Sequence, residues 1–134
     1  MHKLIEIEGI GEHYAALLQT AGIENQTQLL DVCGDRNGRQ TIAEKTGISP
    51  KLILKWTNQA DLARIKGISE EYSELLERSG VDSVLELAQR RPDNLHQALQ
   101  ATNEQSKLVR QLPSLSQVES WIIQAKKLPQ AVYH

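Results

Sequence analysis

Phenylalanine is absent from this chain of 134 residues, cysteine occurs once, and the aromatics stop at three Tyr and two Trp. A single thiol, Cys33, excludes a disulfide framework and a thiolate zinc site, and reads as a small residue near a helix end. Without Phe, the core has to be assembled from Leu, Ile, Val and Ala, which suit helix packing. No apolar stretch approaches the roughly 20 residues of a membrane span. Met1-His2-Lys3 is not followed by the apolar run of a secretory signal, so a cytoplasmic location without membrane contact is expected.

Basic excess is missing as well. Fifteen Lys and Arg face 17 Asp and Glu, for a net charge of −2. The balance holds locally, with seven basic and eight acidic residues in 1–64 and eight and nine in 65–134. A dedicated duplex binder usually carries a basic surplus, because neutralising phosphates supplies most of the non-specific affinity. No Gly-, Ser- or Pro-rich linker separates the halves, and 40% apolar with 24% charged residues describes a folded globular chain.

What is present is a repeated stretch. Ile7-Glu8-Gly9-Ile10-Gly11-Glu12-His13-Tyr14 returns as Ile65-Lys66-Gly67-Ile68-Ser69-Glu70-Glu71-Tyr72, and both copies run through a Leu-Leu pair to a glycine, Gly22 or Gly80. At an offset of 58, nine of the 24 positions from Ile7 to Leu30 are identical. Nearly all nine are apolar or set the backbone, so the repeat preserves a shape more than a chemistry. The halves divide as 1–64 and 65–129, with 130–134 as a tail.

Helix signals are dense along both halves. Lys3–Glu6 forms a short turn, and Tyr14, Leu17, Leu18 and Ala21 make one helical stripe that Gly22 ends. Asn25, with Gln28 three residues on, caps the next helix. Gly34-Asp35-Arg36-Asn37-Gly38 is rich in turn formers and is expected as a loop. A short helix through Ile42 ends at Gly47, and Ser49-Pro50 opens a helix carrying Trp56 that continues to about Ile65. In the second half Ser69 caps the Tyr72 stripe, Ser83 and Glu86 form a capping box, and Pro92 starts a further helix. Ser114 with Gln117 and Ser116 with Glu119 compete to cap the last helix, which bears Trp121 and closes at Pro129. The two Trp lie 65 apart, so about seven residues are inserted between Arg90 and Pro113. Their places within apolar stripes make them core residues rather than interface anchors.

Apolar-x-Gly-apolar-Gly followed by a helix resembles the helix-hairpin-helix motif. Ile7-Glu8-Gly9-Ile10-Gly11 fits it, and Ile65-Lys66-Gly67-Ile68-Ser69 fits with Ser69 replacing the second glycine. With its two Trp-bearing helices and the Ala60-Asp61-Leu62-Ala63-Arg64-Ile65-Lys66-Gly67 junction, the chain resembles a bacterial family of small tandem helix-hairpin-helix proteins known as a domain of unknown function. The resemblance covers nearly the full length and brings no activity with it. It implies an all-α fold of two helix-hairpin-helix-containing repeats packed as one compact helical domain.

In many helix-hairpin-helix proteins the hairpin amides hold a nucleic-acid phosphate. Unpaired N–H groups at a helix N-terminus favour an anion. That makes Gly9, Ile10 and Gly11 one candidate site, and Arg64, Lys66, Gly67, Ile68 and Ser69 the better one, since its flanks are basic. Arg90, Arg91, Lys107 and Arg110 extend the second patch if they share its face. Against this, Glu6, Glu8 and Glu12 surround the first hairpin, and Glu70 and Glu71 follow the second. His2, His13, His96 and His134 show no ligand spacing, and there is no P-loop, dinucleotide fingerprint or nucleophile–base pattern. No catalytic residue, metal or cofactor is assigned. The expectation is a non-enzymatic protein-interaction or scaffold module, with weak sequence-independent DNA or RNA backbone binding as the alternative.

Overall fold

The computed structural model describes residues 4–7 and 9–134. Its described residues are helical with no strand: a 3₁₀ turn Leu4–Glu6, then α1 (Glu12–Thr20), α2 (Gln26–Cys33), α3 (Arg36–Thr46), α4 (Pro50–Leu62), α5 (Glu70–Arg78), α6 (Val84–Ala88), α7 (Pro92–Ser106) and α8 (Leu115–Lys127). Among them no helix is long and apolar enough to cross a membrane.

The chain divides into two compact units, Met1–Asp61 with Ala131–His134, and Leu62–Gln130. Each has its own core. The first is built on Ile10, Leu18, Ile23, Leu29, Ile53 and Trp56. The second is built on Leu75, Leu76, Val81, Leu99, Val118 and Trp121. The division falls earlier than the 64/65 boundary because α4 stops at Leu62, short of Ile65. The last residues are not a loose tail: Val132 is 2% exposed, and Tyr133 N–H donates to the Gly34 carbonyl (2.7 Å).

Local chemistry accounts for the helix ends. Asn25, Ser69, Ser83 and Ser114 each accept a backbone N–H through the side chain at the start of α2, α5, α6 and α8. Ser114 wins over Ser116, because its box is complete: Gln117 Oε1 accepts from Ser114 N–H (2.9 Å) and Ser114 Oγ from Gln117 N–H (3.1 Å). The Ser83 box is half made, since the Glu86 carboxylate is taken by Arg90 Nε (3.2 Å). The expected 34–38 loop is instead a cap and a helical turn. Asp35 accepts from Gly38 N–H (2.7 Å) and opens α3, so turn formers here mark a helix start.

The two units repeat one another's bonding. Ile7 N–H to Leu4 O, Ile10 to Ile7, Ala15 to Gly11 and Ile23 to Leu18 recur 58 residues on as Ile65 to Leu62, Ile68 to Ile65, Ser73 to Ser69 and Val81 to Leu76. The bounds of α1 and α5 share that offset, whereas those of α4 and α8 share an offset of 65.

Candidate functional site

In each unit, a Gly-containing turn leads into a helix and is seated on the indole of a later helix. Gly9 and Gly67 hold φ of +88° and +98°, which only glycine adopts without strain. A Cβ at Gly9 would stand 3.5 Å from Trp56 Nε1, and one at Gly67 2.9 Å from Trp121 Nε1. The turn's apolar tip faces inward: Ile10 is 1% exposed and Ile68 7%. Tyr14 and Tyr72 pack on the same indoles in tilted geometry, with centroids 5.0 and 5.4 Å apart. Glycine, isoleucine, tyrosine and tryptophan thus form one knot that sets the angle at which α1 or α5 leaves its turn.

The second turn, the stronger phosphate candidate, has two of its backbone donors bonded within the protein. Lys66 N–H donates to Gln124 Oε1 (2.9 Å), and Gln124 Nε2 donates back to Lys66 O (3.2 Å). Ile68 N–H is bonded to Ile65 O (3.3 Å). Ser69 Oγ accepts Tyr72 N–H (3.4 Å), which occupies one amide of the α5 N-terminus. Arg64 Nη2 donates to the Pro129 carbonyl (2.7 Å). Lys66 alone of the two flanking cations is exposed.

The four cations of the wider patch stand in two different connections, on either side of α7. Arg90 bonds Glu86 and the Gly80 carbonyl (3.2 Å), at the C-terminal end of α5, whereas Ser69 caps the opposite end. Nine helical residues put those ends about 13 Å apart. Arg91 pairs with Asp93 (3.6 Å), and Lys107 sits in the left-handed C-cap of α7 (φ 49°). Arg110 precedes Gln111, whose carbonyl accepts from Tyr72 OH (3.1 Å).

The first turn differs. Gly11 is an N-cap without a side-chain bond, and a Cβ there would meet nothing within 4 Å. Of the carboxylates flanking it, Glu12 is exposed in the first turn of α1, while Glu8 and the Glu6 side chain lie outside the described residues, as does His2.

Among the described residues, no three His, Cys, Asp or Glu lie close enough to share a metal ion. His13 leans on Tyr14, with ring centroids 5.5 Å apart. His96 Nε2 lies 3.0 Å from the Pro113 carbonyl. Cys33 is fully buried, and burial pushes its thiol up from 9.0 to about 11, which makes it a neutral core residue.

Gln124 is the residue that sequence reading missed. Its signal is visible once Trp56 and Trp121 are aligned: Trp-Thr-Asn-Gln-Ala and Trp-Ile-Ile-Gln-Ala put Gln59 and Gln124, with Ala60 and Ala125, in register. Residues 3–128 match the family model described as Domain of unknown function (DUF4332). No curated protein and no solved structure matches the chain.

Proposed function

The chain belongs to this family of domains of unknown function, and from that premise we infer a non-enzymatic binding module: a protein-interaction or scaffold protein of the bacterial cytoplasm, built on tandem helix-hairpin-helix motifs. One observation carries the reading. The Lys66 amide, at the entry to the second turn, is held with its carbonyl in a two-way bond to Gln124. That turn therefore serves geometry. Balanced charge supports the same reading, as do large apolar side chains on the outer side of α8, where Leu115 is 42% and Ile123 55% exposed.

The test is capture of partners from nuclease-treated and untreated lysate, by the natural protein and by Leu115→Asp/Ile123→Asp. Protein partners that survive nuclease and are lost with the double variant support the reading. Enrichment of nucleic acid alone sinks it.

Sequence-independent nucleic-acid binding is the second reading, and one feature moves it to the first turn. Gly11 leaves the α1 N-terminus without a side-chain cap. DNA retention lost with Gly11→Asp but kept with Arg64→Glu/Lys66→Glu would favour it.

A further inference from the structure

Away from both glycine turns, the first unit carries a cleft of about 390 Å³ between the starts of α3 and α4 and the end of the chain. Its walls include Arg36, Arg39, Gln40, Lys51, Leu54 and His134. Three are permanent cations, and no aspartate or glutamate side chain is among the walls, on a chain whose net charge is −2.

Two further features mark this concentration of charge. The first is helix polarity. A helix N-terminus favours carboxylates, and α1, α5, α6 and α7 each carry one in the first turn. The other four carry none there; α3 has the Asp35 carboxylate as its cap, and Arg36 and Lys51 stand in the first turns of α3 and α4. Two cations thus stand at two helix starts of the first unit.

The second is Arg39, which is 6% exposed. Its Nη1 donates to the Cys33 and Gly34 carbonyls (3.0 Å each) and its Nη2 to Tyr133 O (2.9 Å). Three carbonyls fix the guanidinium in place, and Asp35, the α3 cap, offsets part of its charge. Burial pushes the Arg39 pKa down and the neighbouring Arg36 adds to that, while Cys33 and Asp35 act in the opposite direction.

We propose that this cleft binds a phosphorylated small molecule, its phosphate oxygens held by Arg36 and Lys51 over the fixed charge of Arg39 and its organic part resting on Pro50 and Leu54. Guanidinium groups match phosphate oxygens in geometry, and three positive charges suit a dianion or trianion better than a carboxylate. The volume lies within the usual range for small-molecule sites, about 300–1,000 Å³.

The experiment titrates inorganic pyrophosphate into the full chain near physiological salt, followed by amide NMR, with chloride of equal ionic strength as control. Saturable shifts confined to residues 36–40 and 50–54 are expected. Arg36→Glu/Lys51→Glu, both exposed positions, should weaken binding at least about tenfold while the helical spectrum and melting temperature persist. Lys66→Glu should leave binding unchanged. Three results would overturn the proposal: shifts no larger than those with chloride, a double variant that binds as well as the natural chain, or tighter binding to oligonucleotides as they lengthen. The last would assign the cleft to a nucleic-acid backbone.

Discussion

Gly9, Gly11 and Gly67 occupy parallel places but answer to different physics. Gly67 is held by a left-handed φ and by the Trp121 indole 2.9 Å from where a Cβ would go; Gly9 has the same φ but an ordinary 3.5 Å clearance from Trp56. Left-handed backbone costs an L residue about 1–2 kcal/mol, and overpacking adds about 1–3. Gly67→Ala should therefore lose about 2–4 kcal/mol in urea denaturation and Gly9→Ala about 1–2. Gly11→Ser, with φ −62° and open space, should gain a few tenths through a new cap. Equal losses at Gly9 and Gly67 would dismiss the indole contact.

Cys33 gives a pH prediction. An unfolded thiol ionises near 9.0, while the folded one waits until about 11. Between those values the unfolded state holds fewer protons, so unfolding becomes easier by up to about 1.4 kcal/mol per pH unit. This contribution is complete below pH 9 and lost by pH 11. Cys33→Ala should show a shallower decline in melting temperature over that window, and a parallel decline would refute the assignment.

At the scale of elements, capping chemistry was legible because a cap needs only a side chain and its neighbour three residues on. Asn25, Ser69, Ser83 and Ser114 stand where expected. The inserted residues were legible in number and in span, between Arg90 and Pro113, but not in how they divide between helix and connection. Relative to α3, α7 begins at an offset of 56 and ends at 60, and the connection that follows is 107–114 where the first unit has 47–49. Gly34–Gly38 was misread because composition does not reveal close approach. A Cβ at Gly38 would run into the Val32 carbonyl, and one at Gly34 into the Ala131 carbonyl. Propensity alone says that Gly38→Ala in α3 should stabilise by about 1 kcal/mol. Packing reverses the sign, and a loss of at least about 2 kcal/mol is expected in chemical denaturation. A more stable variant would refute the tight contact of that turn with the end of α2. The tie between the second turn and α8 was hidden for a related reason, since Gln124 reaches Lys66 from 58 residues away.

For the whole molecule, the repeated stretch implied two like halves packed as one domain, whereas each unit buries its own apolar set. The second core draws only on residues from Leu62 to Ala125. Its polar closures are also internal. Asn103 is bonded both ways to Val109 (3.2 and 3.0 Å), Tyr72 to Gln111, and Arg64 to Pro129. The first unit, by contrast, joins distant parts of the sequence, because Arg39 and Gly34 hold Tyr133. Domains of about 60 residues are marginal, but many fold alone when the core is complete. A fragment of residues 62–130 should therefore give a helical circular-dichroism spectrum and one cooperative thermal transition. A fragment of residues 1–61, deprived of Val132 and of the Tyr133 carbonyl, should melt lower than the same unit does in the full chain. Adding a peptide of residues 129–134 at high concentration should recover part of that loss, since ligation of the folded state raises its stability by mass action. If 62–130 is unstructured while 1–61 folds cooperatively, the assignment of a self-sufficient second core is wrong, and the indole-seated turn at Gly67 cannot be what holds it.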